Sequence, residues 1–82
     1  MNNIEQEIVK LMIEVGELTD NIGLDTTFKE IEIESLNFIT IIVEIEDNFG
    51  IEFDDENMLI SNYKTVGDFV NYVENIIKIK NW

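Results

Sequence analysis

Residues 34–49, ESLNFITIIVEIEDNF, decide how this chain folds. The stretch opens on a lone serine between an acid and a leucine, then runs without interruption at helical spacing. With Ser35 taken as the cap and an advance of about 100° per residue, Phe38, Ile41, Ile42, Ile45 and Phe49 collect on one side, a core face. Asn37, Thr40, Glu44, Asp47 and Asn48 collect opposite, which makes the helix amphipathic. Leu36, Ile39 and Val43 fit neither group. They lie along the flank beside the serine end, open to a partner.

Before this helix, Asn2 or Asn3 suits the cap of a first helix in which Ile4, Ile8, Leu11, Met12 and Val15 recur at helical spacing, with Glu5 and Glu7 near its positive end. Gly16 is its expected stop, with Glu17-Leu18 as a frayed extension. From Thr19 to Glu34 the periodicity fades into turn and cap residues, Asp20-Asn21, Gly23 and Asp25-Thr26-Thr27. Ile22, Leu24, Phe28, Ile31 and Ile33 are spaced to pin a long loop onto the bundle. Loops of such length without structure of their own tend to be functional, and this one delivers the chain to Ser35.

Beyond Phe49, Gly50 suits a left-handed helix end. Ile51 and Phe53 are expected to anchor the next loop, and Asp54-Asp55 to start a short third helix through Ile60. Ser61-Asn62-Tyr63-Lys64 turns the chain. Thr65 with Asp68 approximates a capping box for a last helix whose apolar stripe is Val66, Phe69, Val70, Val73, Ile76 and Ile77. Lys78 and Lys80 suit its negative end, and Trp82 lies beyond the pattern. The expectation is an all-α fold: one domain, 1–82, built as a small four-helix bundle with a long loop between helices 1 and 2 and a short helix 3.

A chain of 82 residues buries little more than half of its unfolded surface, so a large internal active site is not expected. Eighteen acids against five lysines and no arginine give a net charge of −13. Phosphate backbones are repelled by such a surface, which excludes nucleic acid; the fitting partners are basic surfaces, reached faster through electrostatic steering. The plainer reading of the acids is solubility alone. With no Cys and no His, disulfides, thiol nucleophiles, Cys/His zinc sites and histidine bases are all excluded, and the chain is not expected to be an enzyme. No apolar run approaches the roughly 18 residues of a membrane span, and no signal peptide leads the chain, so a cytoplasmic protein is expected.

A serine at a helix start most often serves as an N-cap that satisfies an orphan backbone N–H. No base stands near Ser35, so it is not an activated nucleophile. What remains is a cap, or an accessible hydroxyl that another enzyme modifies. A calcium loop would explain the acids, but Asp54-Asp55-Glu56 leads straight into Met58, Leu59 and Ile60, without alternating oxygen ligands or a central glycine. An unmodified acidic adaptor, using the charge and ignoring Ser35, is the alternative of another class.

Glu34-Ser35-Leu36, followed by a helix ending in Glu46, Asp47 and Phe49, resembles the acyl and peptidyl carrier proteins. Thr27-Phe28-Lys29-Glu30-Ile31 is similar to that family's approach to its serine, Phe49-Gly50-Ile51-Glu52 to its exit from the second helix, and Thr65-Val66 to the start of its last helix. The resemblance implies a 4′-phosphopantetheine arm, derived from coenzyme A, on Ser35. On that arm acyl, aminoacyl or peptidyl intermediates would ride as thioesters, with the arm supplying the thiol this chain lacks. It implies as partners a phosphopantetheinyl transferase, an acyl- or aminoacyl-loading enzyme, and downstream synthases or transferases with basic docking surfaces. It also implies a monomer visited transiently.

On the resemblance, helix two is the docking element: Leu36, Ile39 and Val43 for apolar contact, Glu46 and Asp47 for pairing with Lys or Arg, and Glu34 beside the serine during modification. Glu34 replaces the family's usual aspartate, and Glu32 stands where many relatives have glycine. Carriers of the fatty-acid type usually place acids where this chain has Asn37 and Thr40. The segment from Phe49 to Val66 is also slightly longer, and Val43-Glu44-Ile45-Glu46 looks more like discrete aminoacyl carriers, including D-alanyl carriers. The expectation is therefore a free-standing carrier of a dedicated pathway, nonribosomal peptide or polyketide in type, with an acyl carrier of fatty-acid synthesis or a D-alanyl carrier as the alternative.

Overall fold

The computed structural model describes residues 3–16 and 22–80. The proposed Asn2 cap, the Glu17-Leu18 extension, Asp20-Asn21 and Trp82 lie outside them. Four α-helices follow in order: α1 (Asn3–Val15), α2 (Phe28–Ile31), α3 (Ser35–Phe49) and α4 (Val66–Lys80), with two 3-10 turns, Asp55–Met58 and Ile60–Asn62, between α3 and α4. The helix predicted over residues 35–49 is α3. The all-α bundle is present as expected, with α1 packed on α3 and α4.

The periodic residues form the core. Ile8 and Met12 from α1, Phe38, Ile41, Ile42 and Ile45 from α3, and Val66, Phe69, Val70 and Val73 from α4 are buried in one cluster, joined by Phe28, Ile33, Ile51, Phe53 and Tyr63 from the connections. Phe69 is the hub of an aromatic group, with ring centroids 5.1 Å from Phe38, 5.1 Å from Tyr63 and 6.1 Å from Phe28. The Phe28 contact and the Tyr63 contact are edge-to-face, the arrangement the ring quadrupoles favour.

Three expectations change in the connections. The long loop is not structureless: α2 forms a single turn within it, closed by a full capping box. Thr27 Oγ1 accepts from the Glu30 N–H at 3.2 Å, and Glu30 Oε1 accepts from the Thr27 N–H at 2.9 Å. An antiparallel bridge between Thr27 and Thr65 then ties the loop to the start of α4. Leu24, expected to pin the loop with its side chain, is exposed; its carbonyl does the pinning, accepting from the Gly67 N–H at 2.9 Å. The short third helix is two separate 3-10 turns rather than an α-helix, because Leu59 between them is extended at φ −90, ψ 130. Tyr63 holds that segment, donating its hydroxyl to the Asn57 carbonyl at 2.6 Å.

The predicted helix ends are found. Gly50 is left-handed at φ 64 and closes α3 with its N–H on the Glu46 carbonyl. Thr65 and Asp68 form the capping box of α4, at 3.1 and 3.2 Å. Lys80, expected at the negative end of its own helix, reaches across instead and donates to the Gly50 carbonyl at the end of α3.

Candidate functional site

Ser35 is the first residue of α3, not its cap. Glu34 takes the cap position at φ −74, ψ 148, its side chain makes no capping bond, and its carbonyl accepts from the Phe38 N–H at 2.9 Å. The serine hydroxyl is therefore not consumed by a backbone N–H. It is exposed, and no described group hydrogen-bonds it. The first turn of α3 contains no acidic residue and no side chain caps it, so nothing within that turn offsets the free N–H groups and the positive dipole end beside the hydroxyl. That is a suitable seat for a phosphodiester.

The apolar flank is where the helical spacing put it. Leu36 is 78 % exposed, Val43 50 % and Ile39 39 %, and these are three of the six large apolar side chains exposed among the described residues. They share one side of α3 with the serine end. Thr40 turns its hydroxyl back onto the Leu36 carbonyl at 3.0 Å. Neighbouring Asn37 is half-buried, so the turns of α3 that follow the serine present apolar and neutral side chains, and the acid beside it is the exposed Glu34 that precedes it.

The two acids at the far end of α3 differ. Asp47 is exposed. Glu46 is half-buried, and its Oε2 accepts from the Phe53 N–H at 2.8 Å. One of its oxygens is thus committed to holding the Ile51–Phe53 segment against the bundle, a role the sequence did not reveal because Phe53 lies beyond the helix. No group of His, Cys, Asp and Glu suited to hold a metal occurs among the described residues, and no described helix is long and apolar enough to cross a membrane.

A cavity opens beside the serine's approach, lined by Phe28, Lys29, Ile33, Ile60, Tyr63 and Lys64 together with Thr27, Glu32 and Ser61. Only the anchoring role of Phe28 and Ile33 was legible beforehand. The meeting of residues near 30 with residues near 60 depends on the Thr27 bridge to Thr65.

Residues 6–73 match the family described as Phosphopantetheine attachment site. The acyl carrier protein of Lactococcus lactis subsp. cremoris (strain MG1363) is 42 % identical over 62 residues, 76 % of this chain and 80 % of that protein. That of Streptococcus pyogenes serotype M3 is 42 % identical over 69 residues, 84 % of this chain and 85 % of that protein. Among solved structures, an acyl carrier protein from Thermotoga maritima superposes with a TM-score of 0.76 at 23 % identity, covering 94 % of this chain and 89 % of that one, a likeness of fold. With its uncommitted serine at the head of an apolar-flanked helix, this chain belongs to the acyl carrier protein family, whose cofactor is 4′-phosphopantetheine.

Proposed function

We propose that Ser35 bears the 4′-phosphopantetheine arm and that the chain acts as a carrier, not a catalyst, holding acyl, aminoacyl or peptidyl intermediates as thioesters and passing them between enzymes. The observation that carries this is the Ser35 hydroxyl, exposed and free of any capping duty at the first position of α3. A cap serine would be occupied; this one is available. The arm supplies a thiol to a chain without cysteine, and a flexible tether raises the effective concentration of its cargo at each partner's active site.

Docking is assigned to the flank of α3. Leu36, Ile39 and Val43 give apolar contact, Glu34 and Asp47 give exposed charge, and Glu46 contributes only the oxygen not engaged by Phe53. The partners are a phosphopantetheinyl transferase, a loading enzyme and downstream synthases or transferases with Lys and Arg at their docking sites. The neutral pair Asn37 and Thr40 beside the serine favours enzymes of a dedicated nonribosomal peptide or polyketide-type pathway over those of bulk fatty-acid synthesis.

The test is intact mass before and after incubation with coenzyme A, magnesium and a broad-specificity phosphopantetheinyl transferase. One added phosphopantetheine on the wild type and none on Ser35→Ala is the expected outcome. The variant should keep its stability within ~0.5 kcal/mol, as exposed sites without special contacts do. An unmodified wild type would instead favour the acidic adaptor, for which Ser35→Ala changes nothing. Loading assays with aminoacyl, polyketide-type and long fatty acyl groups then distinguish the pathways.

A further inference from the structure

The far end of α3 meets the end of α4 around a cavity of about 590 Å³. Ile51, Ile76 and Ile79 form its apolar wall, and Glu46, Glu52 and Lys80 are its charged groups. Ile51 is buried and Ile76 half-buried, but Ile79 is 73 % exposed, more than any other large apolar side chain described except Leu36. Leu36 belongs to the flank beside the serine. The cavity lies at the opposite end, roughly 20 Å along α3 from Ser35, so the docking flank does not account for the exposure of Ile79.

The chain itself carries a side chain that matches this lining. Asn81 and Trp82 follow Lys80 in the sequence, and the Lys80 ammonium is held on the Gly50 carbonyl at the end of α3. Two residues of chain span at most ~7 Å, which leaves residue 82 within reach of the cavity. Tryptophan fits in kind as well. Its ring is a large apolar surface for three isoleucines, and its N–H needs an acceptor when covered. The Glu52 carboxylate is exposed there, and Glu46 keeps one oxygen not engaged by Phe53. The face of an indole attracts an ammonium, which Lys80 supplies.

We infer that the indole of Trp82 of the same chain seats in this cavity. It covers Ile79 and Ile76, gives its N–H to the Glu52 carboxylate and lies with its face beside Lys80. The end of the bundle remote from the serine is thereby closed by the chain's own aromatic ring. The inference is independent of what Ser35 bears.

Trp82 is the one tryptophan of the chain, so its emission, excited beyond the tyrosine band, reports on this residue alone. In the full chain the emission should be shifted to the blue of N-acetyltryptophanamide, and acrylamide should quench it several-fold more slowly. Ile79→Ser, at an exposed position, should bring quenching at least twofold closer to the free indole without loss of helix by circular dichroism. In methyl spectra, Trp82→Ala should move the Ile76 and Ile79 signals through the lost ring current and leave those of Leu36, Ile39 and Val43 in place. Quenching as fast as that of the free indole, or Ile76 and Ile79 signals that ignore Trp82→Ala, would overturn the inference. So would protection that disappears on dilution in step with a dimer seen by sedimentation, since a second copy would then be what covers the ring.

Discussion

Glu32 is held in the left-handed region at φ 49, ψ 43, where it closes α2 by placing its N–H on the Phe28 carbonyl. A side chain with a Cβ is strained there, and glycine is not. Glu32→Gly is therefore expected to stabilise the chain by about 0.5–1 kcal/mol, read from the urea midpoint. Tyr63 carries a different kind of stress. Burial of its phenol, reinforced by the nearby Tyr72 hydroxyl, raises its ionisation far above the ordinary value of about 10. The folded chain thus holds the Tyr63 proton more tightly than the unfolded one. The resulting stability is fully present below pH 10 and is lost progressively as the pH rises past it. Tyr63→Phe should cost about 1 kcal/mol at neutral pH through the lost bond to Asn57, yet flatten the fall in stability between pH 9 and pH 11, about the phenol's ordinary range.

At the scale of elements, α3 is fixed at its C-terminal end by groups outside it. Gly50 ends it locally, and Lys80 from α4 covers the Gly50 carbonyl. Glu46 meanwhile ties the following segment down through Phe53. Glu46 and Asp47 are adjacent acids of one helix, so they separate packing from docking. Glu46→Ala should cost about 1–2 kcal/mol by leaving the partly buried Phe53 N–H without its acceptor. Asp47→Ala should stay within ~0.5 kcal/mol and show itself only in weaker association with a basic partner enzyme. Chemical denaturation of the two variants side by side checks both. Periodicity made the existence of α1, α3 and α4 legible, because each buries a stripe three to four residues apart. It was blind to α2, a single turn too short to show a period, although Thr27 and Glu30 stand at capping-box spacing.

Over the whole molecule, thirteen excess negative charges repel one another across a small body with a Cα radius of gyration of 11.7 Å. Folding concentrates that repulsion, and salt screens it. Raising sodium chloride from 10 mM to 500 mM, from a Debye length of roughly 30 Å to a few ångströms, should raise the melting temperature. The rise should be roughly 4–8 °C for each kcal/mol relieved in a domain of this size. A calorimetric scan series in sodium chloride measures it. The same charge sets the encounter with basic enzymes, so their association rates should fall over the same range.

The sequence by itself determined the helical class, the three long helices with their core faces, the left-handed Gly50 and the Thr65–Asp68 cap. It determined the apolar flank of Leu36, Ile39 and Val43 as well. All of these are set by neighbours within a few residues, through helical period or cap chemistry. Tertiary structure alone decided that Glu34 rather than Ser35 occupies the cap position. It also committed Glu46 to Phe53 and Lys80 to Gly50, split the third helix into two 3-10 turns, and brought Lys29 and Lys64 to one cavity. Each of these depends on where the chain arrives after a loop, and spacing along the sequence carries no information about that. The physical reason is the range of the interactions: helices are written in local repeats, whereas the surroundings of the serine are assembled from segments that meet only when the common core closes.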